Sequence, residues 1–456
     1  MQNILLEKED RMNLRKSFTT KNLASLSFTL NVPSFPKSNE EIHQFFLEIL
    51  EEIKIYLQAY RVDVLYDTEI LYSKETGDFF LVGVQNIPAE ELKNITENFE
   101  NVHILGRFLD LDITDSLGNS VSSHKKKKCF FCGNFPATTC MRNKNHSYTE
   151  LRDFFLQKIK IYLENKKRQK ISKQLNTFAL EAILFEVSLT PKVGLVDMIS
   201  SGSHKDMNYR TFLQSSSALS SYFQELVFAG FQHNSSLPQE ALPKIRQIGL
   251  SMEDAMFKAT NGINTQKGII FLLGTAIYVS AYLIDKYGYF CIQKFQNLTK
   301  NIAKGIVQRE LKSVQQPKTH GETAFLLSGE KAAGARAEVE SGFEITVNYG
   351  LKTLQNLFPA KINVETEQEV QKALFQSLLQ IMSVNNDTNI LFRKGETILN
   401  EFKELAKKCV LDNSEYNFLI LSEFCNKNQI SAGGSADLLA VATFIYFVEN
   451  EYNNKL

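Results

Sequence analysis

The spacing of apolar and polar positions changes near residue 150. Before that point, four short runs look like β-strands: residues 24–32, 69–73, 79–84 and 107–113. Residues 39–57 instead repeat apolar side chains at the spacing of an amphipathic helix. This mixture predicts an α+β fold for the first part of the chain.

After residue 150 the pattern is helical throughout. Residues 151–163 are amphipathic, and the charged segment 164–173 contains neither Gly nor Pro, so it suits a helical domain boundary. Further helices are predicted near 174–188, 207–230, 239–259, 266–284, 289–312, 344–357, 367–384, 389–411, 413–426 and 435–449. The sequence therefore predicts two domains, an α+β domain over residues 1–168 and an all-α helical bundle over residues 169–456.

Composition mainly excludes classes of protein. Lys plus Arg and Asp plus Glu each number 51, so no global field attracts the chain to nucleic acid or to a membrane. The longest uncharged run, 268–284, is shorter than the roughly 20 residues that span a bilayer, and we expect a buried helix there. No hydrophobic signal core follows Met1, and six cysteines are too few for a disulfide scaffold, so we expect a cytoplasmic protein.

The stretch FLDLDITD, residues 108–115, places carboxylates on one face of a predicted strand. Asp110 and Asp112 point to the same side because they are two residues apart, and Asp115 lies near the strand's end. Asp is a poor strand former, and gathered carboxylates repel each other unless a cation lies between them. Mg²⁺ with a polyphosphate fits this pattern, and an edge strand made soluble by charge is the alternative.

Three thiols and an imidazole follow within eighteen residues: Cys129, Cys132, Cys140 and His146. These residue types at this spacing resemble a small zinc knuckle, although buried thiols in a well-packed hairpin would give the same pattern. The preceding lysine run, 125–128, is typical of a solvated face, or of a site for a phosphate or an acidic partner.

One loop of the second part is rich in groups that bind phosphate or move protons. Residues 189–206 contain Lys192, Asp197, His204, Lys205 and Asp206. Loops with this content on a helical scaffold usually carry function. His204 and Asp206 could equally cap a helix that opens at residue 207.

Glycine-rich or cationic helix starts supply further candidates. Asn264 is a candidate cap of the long apolar helix, and Lys267 lies in the first turn of that helix, where a cation suggests a bound anion. A second start holds Gly433, Gly434, Ser435 and Asp437, whose backbone amides could cradle a phosphate.

The loop 334–343 carries Arg336 among glutamates. A phosphate contact by Arg336 and a solvated surface loop are both compatible with this composition.

Five motifs in residues 20–165 together resemble apo-citrate lyase phosphoribosyl-dephospho-CoA transferase: TLNVPSFPKS (29–38), KETG (74–77), GRFLDLDITD (106–115), CFFC (129–132) and CMRNKNHSYTEL (140–151). The resemblance implies transfer of the phosphoribosyl-dephospho-CoA group to a serine of an acyl carrier subunit, with release of pyrophosphate. Asp110 and Asp112 would then hold Mg²⁺, Arg107 would contact a phosphate, and Asp115 would be a base or a further ligand.

From residue 172 to the end, the motifs TPKVGLVD (190–197), GSHKDM (202–207), NTQKG (264–268) and GGSADLLA (433–440) resemble triphosphoribosyl-dephospho-CoA synthase. The resemblance implies that ATP and 3′-dephospho-CoA give 2′-(5″-triphosphoribosyl)-3′-dephospho-CoA and adenine. It assigns metal binding and proton transfer to Asp197, His204, Asp206 and Asp437, with Asp197 and Asp437 as the Mg²⁺ ligands. It assigns substrate or phosphate binding to Lys192, Asn264, Lys267, Arg336, Gly433, Gly434 and Ser435. Gln266 stands where the family usually has His, and Val193 where it has Pro.

The two resemblances support each other because the product of the second part is the donor for the first. We therefore expect a bifunctional enzyme of citrate lyase prosthetic-group biosynthesis whose partner is the acyl carrier protein. The same chemistry could serve the malonate decarboxylase carrier instead. A zinc-knuckle protein that binds RNA is the alternative from another class, and neutral overall charge without an aromatic stacking motif argues against it.

Overall fold

A computed structural model describes residues 2–122, 127–312 and 320–453. Lys125 and Lys126 of the predicted lysine run lie outside these residues. The chain is mainly helical and divides into two compact units, Met1–Lys167 and Arg168–Leu456. The described strands all lie in the first unit, which agrees with the predicted change of pattern, and the two-domain layout fits this division.

The first unit contains one four-stranded antiparallel sheet in the order β2-β3-β1-β4. Its strands are β1 Ala24–Leu30, β2 Asp63–Lys74, β3 Gly77–Gln85 and β4 Leu109–Thr114. Its helices are α1 Gln2–Ser17, α2 Glu40–Ala59, α3 Ala89–Val102, α4 Ala137–Asn143 and the start of α5 Tyr148–Ser188. The predicted strand at 69–73 was too short, and α1, α3 and α4 were not predicted.

Strand β4 separates its apolar and acidic residues as the alternation predicted. Leu109 and Leu111 are buried in the core of the first unit, where the rings of Phe28 and Phe46 stack at 4.7 Å. Asp110 pairs with Thr29, and Asp112 with Ser27, along β1. The carboxylates therefore share the face opposite the leucines.

Helix α1 contributes charge to this acidic face of the sheet. The turn after α1 packs Phe18 against Phe79 and Leu81. Arg15 Nε donates to Ser27 Oγ at 2.9 Å, so this arginine lies directly beside β4's partner strand. The N-terminal helix thus brings Arg15 to the carboxylates of β4.

In the second unit α5 is followed by twelve helices: α6 Tyr209–Ser220, α7 Phe223–Phe231, α8 Ala241–Ala259, α9 Lys267–Tyr287, α10 Ile292–Ala303, α11 His320–Ser328, α12 Gly334–Glu340, α13 Lys352–Leu357, α14 Glu367–Val384, α15 Thr388–Leu411, α16 Glu415–Asn428 and α17 Gly433–Tyr452. The prediction of one helix over 207–230 was wrong, because α6 and α7 are separate. Helix α6 is capped by Asn208, so Asp206 is not its N-cap.

Helices α9 and α17 form the centre of this second unit. Residues 272–284 of α9 and 438–448 of α17 are buried without interruption. Helix α9 is long and apolar enough to cross a bilayer, but 83% of its most apolar window is buried within the protein. The predicted buried helix is therefore confirmed as part of the core.

Candidate functional site

A cavity of about 540 Å³ in the second unit collects most of the predicted site residues. Helices α9, α15 and α17 all begin at its wall, where Lys267, Thr388 and Gly433 are among the lining residues. A helix N-terminus presents free N–H groups and the positive end of its dipole. Three such ends around one cavity suit a ligand with several negative charges.

Cations also line this cavity. Lys192 is almost fully buried, and its Nζ donates to Glu186 Oε1 at 2.6 Å and to the Glu186 carbonyl at 2.8 Å. Lys267 pairs with Glu253. Among the described cations of the cavity wall, Arg393 alone has no side-chain partner, so its guanidinium is available to a ligand. Sequence reasoning missed Arg393 because it lies on α15 outside any motif.

His204 lies at the cavity wall between two oxygen groups. Its Nε2 is 2.8 Å from Ser431 Oγ, and its Nδ1 is 3.8 Å from Asp206 Oδ1. Burial, followed by the positive charge of Arg393, lowers the pKa of His204, while Asp206 opposes the shift. A neutral imidazole held in this way can accept a proton near pH 7.

Asp437 lines the same cavity, against the first turn of α9. Burial, and then the negative charges of Glu186 and Asp387, raise the pKa of Asp437 well above its ordinary value. A Cβ placed on Gly268 would lie 2.1 Å from Asp437 Oδ2, so glycine is what leaves room for this carboxyl group. Carboxyl groups crowded in this way suit a divalent cation.

Asp387 was missed by the sequence analysis, although an Asp before a helix is a recognisable cap. Its carboxylate accepts the backbone N–H of Asn389 at 3.0 Å and of Ser435 at 2.9 Å. It thereby joins the starts of α15 and α17. Ser435 also receives a hydrogen bond from Asn385 at 3.0 Å and does not line the cavity, so it holds the helix start from behind.

Two predicted residues are placed elsewhere. The carboxylate of Asp197 is buried and accepts the backbone N–H of Lys192 at 2.9 Å, of Ile199 at 2.9 Å and of Ser200 at 2.7 Å, which orders the loop that carries Lys192. Arg336 pairs with Glu310 at 3.0 Å. Neither Asp197 nor Arg336 lines the cavity.

Asn264 and Gln266 mark the approach to α9. Asn264 Oδ1 accepts the backbone N–H of Lys267 at 3.3 Å. Gln266 is buried at the wall, where its Oε1 accepts Ser215 Oγ–H at 2.5 Å. The amide is thus anchored by a neighbouring helix.

The first unit holds the second group of predicted residues. Asp110 and Asp112 are half-buried, and burial, followed by the charge of Asp112, raises the pKa of Asp110. Lys127 Nζ lies 3.6 Å from Asp110 Oδ1, and Arg15 Nη2 lies 3.4 Å from Asp112 Oδ2. Lys127 opposes this shift, but the pKa of Asp110 stays raised.

Arg107 and Asp115 flank β4 and make local contacts. Arg107 Nε and Nη2 donate to the Lys128 carbonyl at 3.0 and 2.7 Å. Asp115 Oδ1 accepts the backbone N–H of Asn119 at 2.7 Å, and this bond lowers the pKa of Asp115. Asp115 therefore closes the turn after β4.

The residues of the predicted zinc knuckle come together. Cys129 and Cys140 are buried, Cys132 and His146 are half-buried, and their ligand atoms lie within 4.8 Å of one another.

Comparison with known proteins agrees with both halves of the sequence resemblance. Residues 172–456 match the family described as ATP:dephospho-CoA triphosphoribosyl transferase, and residues 1–162 match apo-citrate lyase phosphoribosyl-dephospho-CoA transferase.

Individual relatives match over one half or over nearly the whole chain. The protein called CitXG of Leuconostoc mesenteroides subsp. cremoris is 31% identical over 95% of this chain and 92% of its own length. The CitXG protein of Haemophilus influenzae is 29% identical over 97% of this chain and 94% of its own. A probable 2-(5''-triphosphoribosyl)-3'-dephosphocoenzyme-A synthase of Photobacterium profundum is 36% identical over 64% of this chain and 95% of its own. The chain therefore belongs to the ATP:dephospho-CoA triphosphoribosyl transferase family, in the fused form of the CitXG proteins.

Proposed function

We propose that this chain is a bifunctional enzyme that makes the citrate lyase prosthetic group and attaches it. The second unit forms 2′-(5″-triphosphoribosyl)-3′-dephospho-CoA from ATP and 3′-dephospho-CoA and releases adenine. The first unit transfers the phosphoribosyl-dephospho-CoA group to a serine of the lyase's acyl carrier protein and releases pyrophosphate. The match to both families in this order supports the assignment. The cavity with three helix N-termini is the structural observation that carries it.

The cavity fits a triphosphate. The starts of α9, α15 and α17 present the positive ends of their helix dipoles, and Arg393 and Lys267 supply positive charge beside them. Asp437 fits a Mg²⁺ ligand because burial, and then the negative charges of Glu186 and Asp387, raise its pKa, and a cation would relieve the repulsion between these charges. When bound, the metal would offset the charge of the triphosphate. Asp197 does not fit this role, since its carboxylate is already held by backbone N–H groups.

His204 is the group we assign to proton transfer in the synthase reaction. The 2′-hydroxyl oxygen of 3′-dephospho-CoA forms a bond to C1″ of the ATP ribose, and the bond from C1″ to adenine breaks. His204 accepts the hydroxyl proton, with Asp206 behind it and Ser431 beside it. The proton that leaves the hydroxyl balances the one that adenine takes up on departure.

The carboxylates of β4 are the site we assign to transfer. The serine oxygen of the carrier attacks the α-phosphate, a new P–O ester bond forms, and the bond to pyrophosphate breaks. Asp110 and Asp112 would hold Mg²⁺, whose chemistry is to stabilise the leaving phosphates. Their side chains are 39% and 48% exposed, so a carrier protein can reach them.

Mass spectrometry of the apo acyl carrier protein tests the whole proposal. After incubation with this chain, ATP, 3′-dephospho-CoA and Mg²⁺, the carrier should gain the mass of the group, and free adenine should appear in equal amount. Omission of either substrate is the matched control. Adenine release without carrier modification would retain the synthase half and refute the transferase half.

A further inference from the structure

Three thiols and one imidazole meet at one point of the first unit. The ligand atoms of Cys129, Cys132, Cys140 and His146 lie within 4.8 Å of one another, and the Sγ atoms of Cys132 and Cys140 are 3.6 Å apart. A tetrahedral zinc ion with Zn–S bonds of about 2.3 Å requires S···S edges of roughly 3.8 Å. The four groups are therefore spaced for four-coordinate zinc.

The backbone between the first two thiols forms a tight turn. The N–H of Gly133 donates to the Cys129 carbonyl at 2.9 Å, and the N–H of Cys129 donates to the Phe135 carbonyl at 2.8 Å. Gly133 has φ +67°, a conformation that glycine adopts without strain. These hydrogen bonds fix the backbone that carries Cys129 and Cys132.

The other two ligands come from α4 and the loop after it. Cys140 is buried on α4, and Asn145 Nδ2 donates to its Sγ at 3.7 Å. His146 Nε2 is buried and, within the part of the chain that the structure describes, has no hydrogen-bond partner. A buried polar nitrogen without a partner is costly unless something binds it.

Apolar packing does not explain the arrangement of the thiols. The two residues between Cys129 and Cys132 do the packing: the ring of Phe130 lies 5.2 Å from Phe108, and the ring of Phe131 lies 5.2 Å from Phe154. The phenylalanines anchor the turn while the thiols converge on each other and on His146.

We propose that Cys129, Cys132, Cys140 and His146 bind one structural Zn²⁺. Thiolate and imidazole ligands select zinc over Mg²⁺, which prefers oxygen ligands. Four protein ligands leave no open position for a substrate, which is the pattern of a structural site.

The zinc site would position the transferase residues. The Lys128 carbonyl, directly before Cys129, accepts both hydrogen bonds of Arg107. Lys127 contacts Glu100 at 2.8 Å and Asp110 at 3.6 Å. Zinc binding would therefore hold Lys127 beside Asp110 and orient Arg107. This consequence rests on the transferase function proposed above for Asp110 and Asp112.

Metal analysis of the full-length protein, loaded with ZnCl2 and desalted, tests the inference. We expect one zinc per chain by inductively coupled plasma mass spectrometry, and tetrahedral thiolate absorption bands when Co²⁺ replaces zinc. Cys132→Ser and Cys140→Ser should each lose the tightly bound zinc and the Co²⁺ bands. Cys291→Ser is the matched control, because this half-exposed cysteine lies outside the cluster, and it should retain one zinc.

The outcomes separate this inference from the proposed function. The zinc site would be refuted by a substoichiometric zinc content in the wild type, or by a zinc content that Cys132→Ser and Cys140→Ser leave unchanged. It would also be refuted by a disulfide in freshly reduced protein, seen as an intact mass lowered by two hydrogens. Adenine release from ATP and 3′-dephospho-CoA reports whether each variant is folded in its second unit. Stoichiometric zinc in a chain that does not modify the carrier would uphold the zinc site and refute only the transferase assignment.

Discussion

The two candidate sites differ in how far they are removed from solvent. On the sheet face, the side chains of Asp110 and Asp112 are 39% and 48% exposed. In the cavity, those of Lys192 and Glu186 are 1% and 8% exposed. The difference matches the proposed substrates, because a serine on a protein must approach the first site, whereas two nucleotides enter the second. Charges act more strongly in the enclosed site, where little water screens them.

The two sites also differ in the groups that surround their carboxylates. On the sheet face, Arg15 of α1 contacts Asp112, and Lys127 contacts Asp110. In the cavity, burial and then the charges of neighbouring acids raise the pKa of Asp437 well above its ordinary value. Both arrangements place carboxyl groups near one another, so each suits a divalent cation when phosphate binds.

The largest expected effect is on carrier modification alone. The double variant Asp110→Asn/Asp112→Asn should lower carrier modification on the order of 10³-fold, since loss of the metal ligands removes several kcal/mol of transition-state stabilisation. Adenine release should be unchanged. The melting temperature of the double variant should not fall, because burial already penalises the ionised form of Asp110 in the folded protein.

Mixing two variants sharpens this result. The Asp110→Asn/Asp112→Asn chain still makes donor, and a His204→Ala chain still transfers it, so together they should modify the carrier much faster than either chain does alone. Quantitative mass spectrometry of the carrier measures the recovery. If both variants are inactive in both half-reactions, the assignment of one activity to each unit is wrong.

His204→Ala by itself should reduce adenine release by roughly 10²-fold, the usual effect of removing a general base. Transfer from preformed donor should stay at the wild-type rate, which also shows that the chain is folded. His233→Ala is a suitable control, since His233 contacts Tyr278 and does not line the cavity. A synthase rate within a few-fold of wild type in His204→Ala would remove His204 from proton transfer.

Gly268→Ala should have a smaller effect, roughly 10-fold on adenine release, because its Cβ would meet Asp437 Oδ2 at 2.1 Å and displace the carboxyl group. Gly274→Ala in the same helix is the matched control, since its nearest contact would be 3.5 Å from Leu226 and should be tolerated. Steady-state adenine release by chromatography compares the two. Equal rates would show that the position of Asp437 does not matter.

Local pattern predicted what depends on neighbouring residues and missed what packing brings together. The alternation of β4 correctly placed Asp110 and Asp112 on one face. It could not show Arg15, because the contact joins positions 97 residues apart. Asp197 looked like a ligand from its loop, but its carboxylate satisfies that loop's own N–H groups. Arg393 reaches the cavity only through the packing of α15, which no motif encodes.

The smallest expected effect is a shift in pH dependence that tests the environment of His204. Arg393 lowers the pKa of His204, and Asp206 raises it. Arg393→Gln should therefore raise this pKa and move the acid limb of kcat/KM for adenine release to higher pH, whereas Asp206→Asn should move it to lower pH, each by up to about one pH unit. The pH profile of transfer from preformed donor serves as the control and should not move. Since the two substitutions remove opposite charges around one imidazole, shifts in the same direction would show that a different group controls the acid limb.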